Sequence, residues 1–280
     1  MEIFDTHFHL SDEETFEGFL NKCSDDLKLA SKDFVTPADK LLMLCAGSDH
    51  AESVQAMKFA EYAENVYFSC GIHPHAAADY LQKGRQDFSI FKDHKKLVAI
   101  GEIGLDYFYD FSDEKSQKTV LEEFLQLALD WNLPAMLHLR DKDNCRKVYD
   151  DALAMLENFA RSGGRFVIHC YAGNAEDAEK FLAMGGYFGV TGMYTFKAAS
   201  NIREAIAAVP DDRILIETDS PYLAPVPYRG RSNTPGMVPL VARALGAERQ
   251  MPPEKAVEIY SANGRRFYGI RDLEDRALSC

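Results

Sequence analysis

A chain of 280 residues, 46% apolar and 27% charged, can bury a core of its own without staples, and this composition excludes disorder, collagen-like repeats and a disulfide-bound miniature. With 31 Lys and Arg against 44 Asp and Glu the formal charge is −13, which argues against a broad basic face for non-specific nucleic-acid adhesion and leaves room only for locally supplied positive charge. The six cysteines form no CxxC pair and read as scattered reduced thiols. No basic stretch followed by an apolar run opens the sequence, and no segment approaches the ~18 consecutive apolar residues of a membrane helix. A cytoplasmic location is expected, with nuclear or organellar ones left open, no membrane association is expected, and no stable protein partner can be inferred.

In chain order, Ile3–Leu10 and Leu41–Gly47 read as strands. A helix follows over Ser53–Glu64, then a strand over Val66–Ile72, a surface loop over Asp79–Asp87 and a strand over Leu97–Ile103. Gln117–Trp131 repeats apolar residues at Val120, Phe124, Leu127 and Trp131, near the helical period, and Pro134 stops it. Strand Pro134–Leu139, helix Arg146–Ala160, strand Arg165–Tyr171 and helix Ala175–Met184 come next, the last stopped by Gly185 and Gly186. Strand Tyr187–Thr191, helix Asn201–Ala208 and strand Ile214–Thr218 complete the alternation, followed by a loop over Pro225–Asn233 and helices over Pro235–Leu245 and Pro253–Phe267. The strands are too apolar for a one-sided antiparallel sheet and suit burial on both faces. Repeated alternation without a linker predicts one α/β domain, a single (β/α)8 TIM barrel over residues 1–280, with 271–280 a loose C-terminal tail. A doubly wound open sheet is the competitor; it fits less well because polar residues end many strands instead of clustering at one crevice.

Those strand ends carry the chemistry. In Asp5-Thr6-His7-Phe8-His9, alternation points His7 and His9 the same way, with Asp5 on that face. Two imidazoles one strand step apart can grip one metal ion, or be a hydrogen-bonded core pair. Glu102, His138, His169 and Asp219 each close a further apolar run, at the end where barrel active sites are built. Burying so many ionisable groups costs several kcal/mol unless they are paired or bind a cation. The six groups suit a site for two divalent ions, and a single structural zinc would need only four ligands. Glu102, with two oxygens, is the natural bridge.

The motifs IFDTHFHL, GIHPH, GEIGLDY, PAMLHLRD, HCYAG and ETDSPYLAP, in this order across most of residues 1–268, resemble the TatD-type deoxyribonuclease family, which is similar to the amidohydrolase-type metal barrels. The resemblance implies His7, His9, Glu102 and Asp219 around one ion and Glu102, His138 and His169 around the other. It implies a metal-dependent hydrolase that cleaves phosphodiester bonds of DNA by a metal-activated water, with Asp219 able to take the water's proton and Glu102 and Asp219 as the catalytic carboxylates. The resemblance also implies exonuclease-type or endonuclease-type behaviour, of which the exonuclease type is expected, and the acidic chain favours short or single-stranded ends over a long duplex. Magnesium or manganese is expected, with zinc an alternative. An ester or amide hydrolase such as a D-aminoacyl-tRNA deacylase is the rival enzyme, and a non-catalytic metal-binding scaffold is the remaining reading. Tyr171 stands where phenylalanine is common in the family, and Thr234 where glutamate often follows the asparagine.

Other residues lie around this set. His73, with His75 beside it, and Arg140 are the candidate substrate contacts; a loop histidine and a surface salt bridge are the plain alternatives. Asp106 shares a face with Glu102 and could orient a ligand histidine, while Asp5 and Glu217 read as hydrogen-bonding support. Asn233 and Arg231 are candidates for closing the mouth. Tyr107, Phe108 and Tyr109 could stack on bases or simply pack. Cys170 is expected on the opposite face from His169, in the core, and Asp25-Asp26 on a solvated helix face.

Overall fold

The apolar runs pair edge to edge in sequence order. The computed structural model describes residues 1–10, 15–31, 34, 40–142 and 145–270. Its strands are β1 (Glu2–Phe8), β2 (Lys40–Cys45), β3 (Val66–Cys70), β4 (Leu97–Asp106), β5 (Ala135–Arg140), β6 (Phe166–Ile168), β7 (Tyr187–Val190) and β8 (Ile214–Ile216), all parallel in one eight-stranded sheet. The sheet curls into a nearly closed (β/α)8 barrel. Its seam is made just beyond β8, where the Asp219 N–H donates to His7 O at 3.0 Å and the His9 N–H to Ser220 O at 2.8 Å. Closure therefore brings the first and last candidate ligands together.

Among the described residues the helices are α1 (Phe16–Ala30), α2 (His50–Tyr62), α3 (Ala77–Gln82), α4 (Glu114–Trp131), α5 (Lys147–Arg161), α6 (Ala175–Ala183), α7 (Ser200–Ala207), α8 (Val238–Glu248) and α9 (Pro253–Tyr268). None is long and apolar enough to cross a membrane. One apolar cluster joins strand residues such as Met43, Phe68, Leu137 and Ile168 to the helices, among them Phe59, Phe124 and Phe181. Alternate strand residues, including Leu42, Leu44, Met136, Val167 and Leu215, form a second cluster with Phe267 and Tyr268 of α9. Burial on both strand faces accounts for the continuous apolar runs.

Several expectations need correction. Helix α1 was not expected, although Thr15 caps it by accepting from the Gly18 N–H and it buries Phe19 and Cys23 at helical spacing. The expected loop Asp79–Asp87 begins inside α3, a helix of only six residues. Helices α2 and α4 start three residues earlier than the apolar period suggests, because Asp49 and Asp113 cap them. Pro235–Met237 forms a 3-10 turn, so α8 begins at Val238. The tail expected at 271–280 lies outside the described residues.

Two bulges matter for the site. Between Asp5 and Phe8, β1 spends three steps where β2 spends two, and between Ile100 and Ile103, β4 does the same against β5. An extra residue re-aims the side chains beside it. The bulges fall at Thr6-His7 and at Gly101-Glu102, where simple alternation no longer governs direction.

Candidate metal centre

Backbone contacts hold each ligand candidate before its side chain makes any contact. Besides the seam at His7, His9 and Asp219, the Glu102 N–H donates to Gly47 O at 2.8 Å and the His169 N–H to Leu137 O at 2.9 Å. His7, Glu102 and His138 lie inside strands; His9, His169 and Asp219 lie just past strand ends. Gly104, at φ +151°, brings β4 against β5 so closely that a Cβ there would meet His138 O at 1.9 Å.

The side chains converge on Glu102. Its Oε2 lies 3.5 Å from His7 Nε2 and 3.3 Å from His9 Nε2, and these two nitrogens are 3.0 Å apart. Asp219 Oδ1 is 3.7 Å from each of them and 3.8 Å from His169 Nε2. The other Glu102 oxygen, Oε1, lies 2.9 Å from His138 Nδ1 and 3.7 Å from both His169 Nε2 and His73 Nε2. All six residues expected as ligands are thus brought together, and Glu102 turns one oxygen to each half.

The second nitrogen of each ring decides what the first can do. His7 Nδ1 lies 2.9 Å from Met136 Sδ, which can only accept, so Nδ1 carries the proton and Nε2 is free to bind. Glu217 Oε1 lies 2.9 Å from His169 Nδ1, at ion-pair distance, and its charge favours a proton on that nitrogen; Ser48 Oγ lies 3.4 Å from His9 Nδ1. For His138 the outer partner is Asp106 Oδ2, 3.1 Å from Nε2, which leaves Nδ1 facing Glu102. His73 is the exception. Its Nδ1 accepts from the His75 N–H at 3.2 Å, so the neutral ring carries its proton on Nε2, pointing inward. Distance groups His73 with Glu102 and His138; its tautomer makes it a donor toward the centre instead of a ligand.

Electrostatics across the cluster are uneven. Burial raises the Glu102 carboxyl, but His73, His138 and His169 outweigh it and hold it well below the usual range. Burial lowers His169, yet Glu217, Asp219 and Glu102 push it up to about 10. Burial drives His7 and His73 well below their ordinary value and pushes Asp219 up to about 6. A cation bound here would have to displace the protons held on the raised imidazoles, so its binding would depend on pH. Imidazole and carboxylate donors without thiolate suit zinc, manganese or magnesium.

Surrounding residues sort less uniformly. Asp106 is fully buried and, besides His138, receives His75 Nε2 at 2.9 Å and the N–H groups of Phe108 and Tyr109 at 2.9 and 3.1 Å. Gln117, not singled out in the sequence, holds the Asp106 backbone through both its N–H and its C=O. Asp5 accepts from the Thr218 N–H and hydroxyl, supporting the turn to Asp219. Asn233 donates to Thr218 O and Tyr222 O and so ties the late loop to that turn. Arg231 stays exposed over the Tyr228 ring. Arg140 is exposed, its guanidinium carbon 4.3 Å over Phe108 and 4.9 Å over Tyr109. Tyr107 is buried and its hydroxyl donates to Asp151, so it packs away from the mouth. Cys170 is not in the core: a left-handed backbone (φ 49°) breaks alternation after His169 and leaves it half-buried beside Thr191. Asp26 is not simply solvated, since Thr234 Oγ1 donates to it at 2.8 Å. The Tyr171 hydroxyl donates to Asn174 O at the start of α6, away from any ligand.

The sequence pattern of the TatD related DNase family matches residues 4–269. The chain is 32% identical over 269 residues to the uncharacterized metal-dependent hydrolase YabD of Bacillus subtilis, covering 96% of this chain and 99% of that one. It is 27% identical to the 3′-5′ ssDNA/RNA exonuclease TatD of Citrobacter rodentium, over 87% of this chain and 96% of the relative. The crystal structure of YjjV, a TatD homologue from Escherichia coli, shares the fold with a TM-score of 0.78 at 24% identity, covering 96% of this chain and 98% of that one. A match running from residue 4 to residue 269 takes in every side chain of the centre, and the chain belongs to the TatD related DNase family.

Proposed function

We propose that this chain is a metal-dependent phosphodiesterase that shortens DNA from single-stranded or short ends. The observation that carries this is Glu102, whose Oε2 faces His7 and His9 and whose Oε1 faces His138, while His169 lies between the two sides, 3.7 Å from Oε1 and 3.8 Å from Asp219 Oδ1. His7, His9, Glu102 and Asp219 are suited to hold one divalent ion, and Glu102, His138 and His169 the other. Such ions, magnesium or manganese by preference, would supply positive charge to the phosphate oxygens and acidify an attacking water. Asp219, half-buried at the rim, is placed to accept that water's proton. His73 offers its Nε2–H to a phosphate oxygen. Arg140, on the rim, supplies positive charge to an acidic chain that has little to spare. The relative named as a single-strand exonuclease supports the same substrate.

The test is side-by-side incubation with 5′- and 3′-labelled single-stranded and duplex DNA and with D-aminoacyl-tRNA, in Mg²⁺, Mn²⁺, Zn²⁺ or EDTA. Progressive shortening of single strands, stopped by EDTA and by Glu102→Gln, is the expected result. Deacylation without DNA cleavage would move the reaction from phosphorus to carbon. Cleavage that needs long duplex and ignores free ends would overturn the preference for ends.

A further inference from the structure

Beside the centre lies a strip of aromatic surface that neither the core nor the ligand set uses. Phe108, Tyr109 and Phe111 follow β4 and are 38%, 39% and 66% exposed. Their rings touch in series: Phe108 to Tyr109 at 4.8 Å between centroids, Tyr109 to Phe111 at 5.5 Å, and Phe111 to His75 at 4.7 Å. The Arg140 guanidinium covers one end of the strip, over Phe108 and Tyr109.

The strip is also held rigidly to the centre. Asp106 Oδ1 accepts from the backbone of Phe108 and Tyr109, and Oδ2 faces His138. At the other end the Ser112 hydroxyl donates to His75 O at 2.8 Å and accepts from the Ala78 N–H at 3.0 Å. One carboxylate thus fixes both a candidate ligand and the aromatic backbone. Apolar rings kept in water by a rigid loop lose solvent favourably when a partner covers them.

We propose that Tyr109 and Phe111 form a stacking subsite for an unpaired nucleobase of the strand whose phosphate is in the centre, with Arg140 at its edge. The proposal rests on the nucleic-acid reading above and adds the residues that hold the base. Flat π faces next to a planar cation match a base beside a phosphate, and stacking accepts any base. In a chain with a net charge of −13, stacking also supplies affinity that backbone electrostatics cannot. A paired base inside a duplex has no free face to offer, so the subsite itself selects unpaired ends.

The experiment is fluorescence-anisotropy titration of the full-length protein in EDTA, where no turnover occurs, with labelled single-stranded hexathymidylate and with an abasic strand of the same backbone. The wild type is expected to bind the base-bearing strand more tightly. Phe111→Ala and Tyr109→Ala are each expected to weaken that binding roughly 5- to 150-fold and to bring it toward the abasic value. Phe111→Trp, which keeps a stacking face, is expected to retain the preference and shows that the site tolerates substitution. Equal affinity of the wild type for both strands, or an unchanged preference in both alanine variants, overturns the subsite and leaves the strip to a different partner such as a protein. Base-dependent binding by a protein that cleaves no DNA when metal is restored supports the subsite while refuting the proposed hydrolysis, so the two are separable.

Discussion

Replacing Asp106 with asparagine tests how the centre is oriented without removing a ligand. In the native chain Asp106 Oδ2 faces both His138 Nε2 (3.1 Å) and His75 Nε2 (2.9 Å), while Oδ1 accepts two backbone N–H groups. His138 holds the carboxyl well below the usual range in spite of its burial. An ionised carboxylate only accepts, so it keeps the His138 proton on Nε2 and the Nδ1 lone pair toward Glu102. Asp106→Asn retains shape and Oδ1 but puts an NH₂ where Oδ2 was. That group donates to Nε2, moves the ring proton to Nδ1 and takes His138 out of the ligand set. Loss of such an orienting partner lowers metal affinity about 10- to 100-fold, or about 1.4–2.8 kcal/mol. Competition titration of Mn²⁺ or Zn²⁺ against a chelating dye reads this directly, with a thermal melt to confirm that the variant folds. His138→Ala should weaken binding similarly, and the double variant should add little beyond either single change. Native-like affinity in a folded Asp106→Asn protein would refute the tautomer argument.

Three further expectations follow from the same geometry. Glu217→Gln should weaken metal binding about 10- to 100-fold through His169 and leave the melting temperature nearly unchanged, as checked by the same titration and melt. His73→Ala should leave metal affinity within about twofold of native while lowering kcat about 100-fold, because it removes an inward donor and no ligand; a fall in metal affinity would make His73 a ligand. Gly104→Ala should destabilise the fold by roughly 3 kcal/mol or more in urea unfolding, since it combines a disfavoured φ of +151° with a Cβ 1.9 Å from His138 O.

The ligand candidates were readable because a parallel barrel presents the ends of its strands at one rim, so His138, His169 and Asp219 announce themselves as polar residues closing apolar runs. The apolar period carried α4, with Pro134 marking its end. What stayed hidden depends on departures from period. The bulges at Thr6-His7 and Gly101-Glu102 are register effects between strands that one strand's sequence does not display. Cys170 was misplaced because a left-handed residue resets alternation. Helix α3 is too short to show a period, whereas α1 carries Phe16, Phe19, Leu20, Cys23 and Leu27 at helical spacing amid charged residues and was legible in principle. The donor role of His73 comes from a turn conformation, and the anchoring by Gln117 from a contact between the end of β4 and the first turns of α4.

In the proposed centre Glu102 serves two cation sites at once. Equilibrium dialysis against Mn²⁺ with elemental analysis, on the wild type and on Glu102→Gln, measures this without reference to any substrate. Two ions per native chain, and loss of affinity at both sites when the one carboxylate is neutralised, is the predicted result. A variant that binds Mn²⁺ with native stoichiometry and affinity would contradict a shared centre.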